Sequence, residues 1–390
     1  MTHPAIKYAD EVLSGKVLAC KWVRLACERF LDDLDHGHER GLYFDENAAN
    51  HALKFFPQLK LWKGKEYKGK EFILAPHYQF IVSNIMGWRR VEDHTRRFRT
   101  AYIEMGRKGA KTTFAGGLAS YFFLADGEEG AEIYTAAVTR DQARLVWTNI
   151  KNLTKNSMFS PIITYYRHNL SIEDTWSKCE PLSSDAKSLD GLDSHFASLD
   201  ELHAHPSPEV HDLVDDSTGA RSQPMILIIT TAGYDQTGIC YQRREYLTKV
   251  LKGFNDDTFF GIIFTLDVKK DWPELQTAEE HKKDPSGTQE DDWQDEDLWT
   301  KPMPGLLGIT SSGLKCGING NGQPVPGYMT KIEDVRKKAK YAVEMPAAQN
   351  NFLTKRMNIW TQQATRWLSL ELWDANYSKE IYCYEYNNPR

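Results

Sequence analysis

The chain has 390 residues, enough for two or three domains, and its 41% hydrophobic and 26% charged residues are typical of an ordinary globular protein. Its formal net charge of −6 argues against a generally basic surface that coats nucleic acid, so any contact with DNA must be local. With no apolar run near the roughly 18–20 residues of a bilayer span, no secretory signal and six cysteines without zinc spacing, we expect a cytoplasmic chain that makes no membrane contact.

The first 69 residues are predicted to form an N-terminal helical segment, because their apolar residues recur at the spacing of amphipathic helices. Gly15 is expected to interrupt the first helix, and Pro57 to end the second. Before the first strand, predicted at residues 99–104, the predicted elements are helices over 11–34, 46–56 and 76–86, and a lysine- and glycine-rich turn over 60–70.

Residues 70–267 alternate between strand-like and helix-like runs, which is the pattern of an α/β domain. The almost wholly apolar run 225–231 is expected in a parallel sheet that is covered on both faces. The fold class predicted is therefore a mainly parallel central sheet flanked by helices. The predicted strands are 99–104, 132–137, 196–199, 225–231 and 259–266, and the predicted helices are 112–124 and 140–151.

After residue 267 the composition changes to a charged stretch and then to a glycine- and proline-rich one. Helices are predicted over 331–342 and 347–354. We expect residues 268–365 to form an irregular and helical linker subdomain, and residues 366–390 to begin a connection to a further domain.

The segment 105–113 joins a predicted strand to a predicted helix and has the composition of a phosphate-binding loop. Backbone N–H groups at a helix N-terminus bind phosphate oxygens, Lys111 can reach the β- and γ-phosphates, and the Thr112 hydroxyl can hold Mg²⁺. The strict G-x-x-x-x-G-K-[ST] pattern has glycines where this chain has Met105 and Ala110, so a lysine-rich surface turn is the alternative. The candidate loop residues are Gly106, Arg107, Lys108, Gly109, Ala110, Lys111, Thr112 and Thr113.

A pair of carboxylates, Asp200 and Glu201, follows the apolar run 196–199 about 90 residues after the loop. Acidic groups at the end of a buried strand are costly unless they bind a metal or perform chemistry. Asp200 would complete the Mg²⁺ site with Thr112, and Glu201 would position and activate water. The two segments together predict a P-loop NTPase that hydrolyses ATP with Mg²⁺.

The order of these motifs resembles that of the phage terminase large subunit, the ATPase that drives DNA into a procapsid. Within the family, residues Cys20 to Phe30 are similar to the N-terminal part of one branch. The phosphate loop of that branch has the form G-R-K-N-G-K-[ST]. This chain has Gly106 to Thr112 at that place, with Gly109 and Ala110 instead of Asn-Gly. The alanine adds a methyl group near the β-phosphate.

The resemblance implies roles for further residues. Gln79, in the segment 74–81, would contact adenine, and Thr230 with Thr231 would sense the γ-phosphate; an ordinary helix glutamine and two strand threonines are the alternatives. In the family an arginine completes the charge around the transferred phosphate. Arg107 matches the arginine beside the loop and Arg140 is a second candidate, and a solvated arginine is the alternative for each.

The family also continues into an RNase H-like nuclease domain that uses two metal ions. Residues 351–360 and Trp367-Leu368 resemble the linker into that domain, but no aspartate-ended apolar strand follows, and we expect the chain to lack nuclease activity. The acidic runs 290–292 and 295–297 are interpreted as a solvated face rather than a nuclease site. The remaining C-terminal acids, none of which ends an apolar strand, are Glu371, Asp374, Glu380 and Glu385.

The partners that the resemblance implies are double-stranded DNA held without sequence preference, a portal protein, a terminase small subunit and further copies of the chain in a ring. The expected location is the bacterial host cytoplasm, transiently at the portal. Two alternatives are a helicase-like DNA-dependent ATPase, for which 268–390 is too short to supply a second ATPase lobe, and an inactive prophage remnant that binds nucleotide without turnover.

Two other groups of side chains have open interpretations. The basic cluster, defined as Arg89, Arg90, Arg96, Arg97 and Arg99, could contact DNA phosphates, reach a neighbouring subunit or form a solvated turn. His203 and His205 lie beside Asp200, but no third nitrogen or sulfur ligand has suitable spacing, so loop structure is the preferred interpretation over a metal site.

Overall fold

An eight-stranded sheet forms the centre of the computed structural model, which describes residues 2–182 and 191–362. The first six strands in spatial order run parallel and the last two antiparallel, so the predicted mainly parallel sheet is confirmed. In spatial order the strands are β10 (Phe259–Ile263), β3 (Thr100–Glu104), β9 (Met225–Thr230), β8 (Ser194–Asp200), β4 (Glu132–Ala136), β7 (Ser177–Pro181), β6 (Leu170–Ile172) and β5 (Thr164–Tyr165).

Helices flank this sheet, and their burial follows their sequence patterns. The helix after β3 is apolar around its whole circumference, so it is buried among other elements. The helix after β4 instead buries one stripe and leaves its charged face to solvent. The helices of this region are α4 (Pro76–Gly87), α5 (Lys111–Leu124), α6 (Arg140–Lys155), α7 (Glu209–Asp216) and α8 (Ile239–Leu251).

Three helices and a short pair of antiparallel strands, which are not consecutive in the chain, precede the sheet. The predicted interruption at Gly15 is confirmed, since its φ of +78° is left-handed, a conformation that glycine adopts without steric cost. The carboxylate of Asp45 caps the third helix by accepting from two backbone N–H groups. The elements are α1 (Pro4–Leu13), α2 (Lys21–His36), β1 (Leu42–Phe44), α3 (Glu46–Phe55) and β2 (Trp88–Arg90).

The part of the chain after β10 has a hydrophobic cluster of its own, built around Trp299, Ile332 and Phe352. The solvated-face interpretation of the acidic runs is wrong for two side chains. Asp291 accepts from the buried Lys301 ammonium at 2.7 Å, and Glu296 pairs with Arg336 at 2.7 Å. The elements here are α9 (Ala278–Lys283), β11 (Leu306–Ile309), β12 (Lys315–Cys316), β13 (Thr330–Lys331), α10 (Ile332–Glu344) and α11 (Pro346–Lys355). The division of the chain at residues 69, 267 and 365 stays a prediction.

Some elements differ from the sequence-based expectation. Sequence reasoning does not predict α8, because its buried side includes Arg244, whose guanidinium donates to Asp271 at 2.6 Å and so breaks the apolar stripe. The short strands β5 to β7 are also not predicted. The strand expected over 259–266 ends at Ile263, and Thr265 instead donates its hydroxyl proton to the carbonyl of Asn358 at 2.9 Å.

The five described cysteines, Cys20, Cys27, Cys179, Cys240 and Cys316, are all free and buried, as expected of small core side chains. Within 2–182 and 191–362, no helix has both the length and the apolarity to cross a bilayer. Cys383, the C-terminal acids from Glu371 to Glu385, the Trp367-Leu368 motif and the predicted connection over 366–390 lie outside the described residues.

The basic cluster is largely structural. Arg96 and Arg97 are 0% and 1% exposed. The Arg96 guanidinium donates to Asp126 at 2.6 Å, and that of Arg97 donates to Asp33 of α2 at 2.6 Å. Neither guanidinium can contact DNA, a neighbouring subunit or bulk solvent, so all three interpretations are wrong for these two. They stay open for the other three arginines of the cluster.

Replacing Arg96 with methionine is expected to lower the free energy of unfolding by about 3 kcal/mol or more, because a buried carboxylate loses its cation. The Asp126 side chain would keep only His195, at 2.7 Å, as a polar neighbour of its second oxygen. Arg90→Met is the matched control, since Arg90 lies in the same segment and is partly exposed. Urea unfolding of both variants tests this, and equal midpoints would contradict it.

Candidate active site

The candidate site residues converge where three neighbouring strands end. Glu104 of β3 is level with Thr230 of β9, and Asp200 of β8 is level with Ile229 of the same strand. In parallel sheets the loops beyond the carboxyl ends of the strands form the ligand crevice. The phosphate-type loop after β3 and the acidic pair after β8 therefore face one crevice, with the Thr230-Thr231 pair between them.

The loop over 105–110 has the backbone of an anion-binding turn. Lys108 and Ala110 both have left-handed φ values, +75° and +64°, and Ala110 is the residue that immediately precedes α5. Tyr78 of α4 holds the loop in place. Its hydroxyl donates to the Gly109 carbonyl at 2.6 Å, and its ring stacks on that of Phe114 with 4.2 Å between the ring centroids.

The helix N-terminus that this loop creates offers free donors. None of the backbone N–H groups from Gly109 to Thr112 donates to another group in the described part of the chain. Such groups, together with the helix dipole, favour a bound anion such as phosphate.

Lys111 points into the same crevice. The side chain is 6% exposed, and its Nζ donates to the carbonyl oxygens of Met105 at 2.8 Å and Gly106 at 3.4 Å. Burial lowers the pKa of Lys111, while the carboxylates of Glu201 and Asp200 oppose that shift. The ammonium group is thus held close to two acids and to the loop backbone.

Asp200 and Thr112 supply oxygen ligands of the type that Mg²⁺ prefers. The Thr112 hydroxyl donates to Asp200 Oδ2 at 3.3 Å. Asp200 is 4% exposed, and its Oδ1 has no hydrogen-bond partner among the described residues. Burial and the Glu201 carboxylate raise the pKa of Asp200 to about 7. A cation would relieve both effects, so these residues fit a magnesium ion.

Glu201 leaves the strand in a left-handed conformation, with φ of +52°, which is uncommon for a residue with a side chain. Its Oε2 accepts from the Thr231 hydroxyl at 3.3 Å and lies 3.1 Å from His203 Nδ1. Burial opposes ionisation, but the His203 hydrogen bond and the Lys111 charge outweigh it and lower the pKa of Glu201 to about 2. The carboxylate is therefore ionised at neutral pH.

The other candidate residues lie around this centre with varied contacts. The Gln79 amide donates to the Leu74 carbonyl at 2.7 Å, and the Thr113 hydroxyl lies 3.4 Å from Asn149 Oδ1. The Thr230 hydroxyl donates to the Thr231 carbonyl at 3.0 Å. Their proposed roles towards a nucleotide stay predictions.

The two candidate arginines differ in position. Arg107 is exposed on the loop, and its backbone N–H donates to the Lys355 carbonyl at 2.7 Å. Arg140 is exposed at the start of α6, and no hydrogen bond or ion pair joins its side chain to the acidic pair within the described residues. Of the two arginines, Arg107 is the one whose charge acts on the site, where it helps to lower the pKa of Lys111 and that of Glu201.

Three hydrogen bonds join the loop to the C-terminal part of the chain, one of them the bond from Arg107 to Lys355 just described. Gly106 N–H donates to the Pro302 carbonyl at 2.9 Å, and the Thr330 hydroxyl donates to the Lys108 carbonyl at 2.8 Å. A Cβ atom at Gly106 would lie 2.3 Å from the Arg356 carbonyl oxygen, so only glycine fits there. The loop is packed between the sheet and the linker segment.

Sequence reasoning missed two side chains of the site, Lys355 and Asn358. Lys355 Nζ lies 2.8 Å from His203 Nε2, and the Asn358 amide donates to Glu104 at 3.1 Å. Both residues fall in the segment 351–360 that resembles the family's linker, which is the only sequence signal for them. The contacts themselves join residues more than 150 positions apart.

His203 and His205 have different surroundings, and the preference for loop structure over a metal site stays a prediction. His203 contacts Glu201, Thr230 and Lys355, whereas His205 is buried with Nε2 unpaired. In the described ranges, no group of three or more histidine, cysteine, aspartate or glutamate side chains is arranged to hold a metal ion. A magnesium site of the Thr112–Asp200 kind needs only one carboxylate, because phosphate oxygens and water provide the rest.

Replacing Ala110 with glycine is expected to raise the free energy of unfolding by up to about 1 kcal/mol, because glycine removes the steric cost of the left-handed backbone. Ala115→Gly is the matched control inside α5, where the same change should lower the free energy of unfolding by at least about 1 kcal/mol. Thermal unfolding measures both. A lower midpoint for the position-110 variant would show that the alanine methyl group makes a stabilising contact.

Two models of known protein families match parts of the chain. The model of the terminase large subunit, ATPase domain, matches residues 76–249, and that of the terminase large subunit, endonuclease domain, matches residues 318–382. Among curated proteins the chain is similar to Protein YmfN of Escherichia coli (strain K12), with 27% identity over 193 residues, which are 49% of this chain and 33% of YmfN.

One solved structure shows the same fold over most of the chain. The HK97 bacteriophage large terminase is similar with a TM-score of 0.59 and 16% identity, over 80% of this chain and 55% of that one. The Thermus phage P74-26 large terminase ATPase domain matches with a TM-score of 0.33 and 17% identity, over 46% of this chain and 80% of that one. The chain thus spans about a third of YmfN and about half of the HK97 protein, and the predicted fold class is confirmed by the HK97 likeness.

Proposed function

We propose that the chain is a member of the terminase large subunit family and forms the ATP-hydrolysing motor portion that drives double-stranded DNA into a procapsid. The observation that carries the proposal is the meeting of Lys111, Thr112, Asp200 and Glu201 beyond the carboxyl ends of β3 and β8, the two strands on either side of β9. A cation, a hydroxyl and two acids at a helix N-terminus are the groups that phosphoryl transfer from ATP to water requires.

Each residue has a separate task in this mechanism. Lys111 and the free N–H groups of the loop bind the β- and γ-phosphates, and Arg107 adds positive charge as the γ-phosphate leaves. Glu201 orients the attacking water, using Oε1, because Oε2 already accepts from Thr231 and His203. Thr230 and Thr231 are suited to sense the γ-phosphate from the end of β9, and Gln79 to contact adenine.

Thr112 and Asp200 are the residues that would hold Mg²⁺. When bound, the ion neutralises phosphate charge and orients the β- and γ-oxygens. The unpaired Oδ1 of the buried Asp200 supports this assignment. The Asp200 carboxylate would then be ionised despite its burial.

The partners are proposals from the family. A packaging motor grips the DNA backbone, so binding should weaken with salt and be independent of sequence. A portal protein, a terminase small subunit and a ring of copies in the bacterial host cytoplasm complete the proposal. An arginine from a neighbouring copy is compatible with the exposed rim of the site, where Arg107 lies.

Release of inorganic phosphate from ATP, with and without double-stranded DNA, tests the proposal. We expect Mg²⁺-dependent turnover that DNA stimulates. Nucleotide binding without turnover at any protein concentration would instead favour the inactive remnant. Separation of DNA strands coupled to ATP use would favour the helicase-like ATPase.

The expected lack of nuclease activity stays a prediction. The endonuclease-domain model matches residues 318–382, of which 318–362 are described and include α10 and α11. Incubating the chain with plasmid DNA and Mg²⁺ or Mn²⁺ tests it. Cleavage that is abolished by replacing a carboxylate in 363–390 would overturn the expectation.

A further inference from the structure

The Glu201 carboxylate is the first member of a hydrogen-bonded chain that leaves the ATPase sheet. Its Oε2 lies 3.1 Å from His203 Nδ1, and His203 Nε2 lies 2.8 Å from the Lys355 ammonium nitrogen. Lys355 is the last residue of α11, in the linker segment. Three side chains thus connect the acid beside the phosphate loop to a helix 150 residues further along the chain.

The donors and acceptors along this chain determine the state of the imidazole. An ammonium group can only donate, so Nε2 of His203 must be the acceptor and the ring proton must lie on Nδ1. That proton points at Glu201 Oε2 and at the Thr230 hydroxyl, 3.1 Å away. Burial lowers the pKa of His203, in agreement with a neutral ring.

Lys355 is itself held in place, so this row of hydrogen-bonded side chains is fixed at both ends. It is 9% exposed, and its Nζ also donates to the Ala232 carbonyl at 3.1 Å, just beyond Thr231. Three residues later, the Asn358 side chain accepts from Ala232 N–H at 2.6 Å and donates to Glu104. The Trp360 indole donates to the same Glu104 carboxylate at 3.2 Å.

We propose that His203 and Lys355 are positioning residues for hydrolysis, which hold one oxygen of Glu201 so that the other faces the attacking water, and which make that orientation depend on the docking of α11. The inference rests on the proposed function, because Glu201 must be the residue that orients water. Neither His203 nor Lys355 needs to touch the nucleotide.

Two single variants and their combination test whether His203 and Lys355 position Glu201. Lys355→Met and His203→Ala should each lower kcat by about 10- to 100-fold, because a small error in the direction of a reacting group has an effect of that size. In both variants the Kd of a fluorescent ADP analogue should stay within about twofold of its value in the unaltered protein. The control is Lys340→Met, which replaces an exposed lysine of α10 and should leave the same Kd within about twofold. The double variant should be no slower than the slower single one, because both changes break one chain.

Conservative variants separate positioning from folding. His203→Asn restores a donor near the Nδ1 position and should recover part of the lost kcat, and Lys355→Arg should do the same for the cation. A fold-loss of kcat in the double variant that equals the product of the two single losses would overturn the proposal. So would a loss that appears in the ADP analogue Kd instead of kcat.

A spectroscopic measurement makes the result independent of turnover. Nitrogen NMR of ¹⁵N-histidine-labelled protein, with the His203 signal assigned from His203→Ala, should show the proton on Nδ1 and should show a mixture of tautomers in Lys355→Met. A proton on Nε2 in the unaltered protein would overturn the proposal whether or not ATP is hydrolysed. If the unaltered protein does not turn over ATP but gives the expected tautomer, only the proposed function fails.

Discussion

Glu201→Gln is expected to lower kcat for ATP hydrolysis by about 10²- to 10⁴-fold, the range for loss of a positioned acid–base group. Glutamine keeps the size of the side chain and can still accept from Thr231 and His203, the two groups at Oε2. What it loses is the negative charge that orients and polarises water. The Kd of ATP should change by no more than about threefold, because Glu201 is not assigned to the phosphates.

The control for this change is Glu209→Gln, which makes the same replacement at an exposed position at the start of α7. Phosphate release under saturating ATP and binding of a fluorescent ATP analogue measure the two quantities. Equal kcat values for both variants would remove Glu201 from its proposed role. A loss of binding without a loss of kcat would assign it to the phosphate site instead.

Lys111→Met is expected to act on binding. Charge-assisted hydrogen bonds contribute about 1.5–3 kcal/mol each, so losing the ammonium should raise the Kd of ATP by about 10- to 100-fold. The fold should persist, because methionine fills similar volume and the lost hydrogen bonds go only to the loop carbonyls of Met105 and Gly106. Turnover should fall as well, since the same cation faces the transferred phosphate.

Lys155→Met, at the exposed end of α6, controls for the general removal of a positive charge. Titration of a fluorescent ATP analogue in Mg²⁺ buffer, with circular dichroism to compare the folds, gives the measurement. An unchanged Kd in the Lys111 variant would mean that the segment 105–113 is the surface turn that its imperfect motif allows.

The parts of the site that could be predicted are those with local patterns. A strand, a glycine-containing turn and an apolar helix follow one another over 99–124, and an apolar run ends in Asp200 and Glu201. The carboxyl ends of parallel strands lie at one edge of the sheet, so these two segments are expected at the same edge. The order of the motifs was sufficient for that inference.

The parts that could not be predicted depend on side chains that meet across the fold. Arg96 has the sequence context of an exposed basic cluster, yet it is buried because Asp126 lies opposite it, 30 positions away. Lys355 lies in the segment that resembles the family's linker, but its contact with the site emerges only from its distance to His203. Charged residues with distant partners have no periodic signature, and sequence patterns therefore assign them to the surface.

The attachment of the loop to both sides of the crevice has a mechanical consequence. Gly106 and Arg107 give their N–H groups to the carbonyls of residues 302 and 355, and Gly106 leaves no space against Arg356. A shift of the loop backbone by even an ångström would break these bonds or pull the start and the end of the linker with it. In the proposed motor, the loop that would bind the triphosphate is thus joined directly to the linker, so a movement of the loop would reach residues 356–360 without any intermediate element.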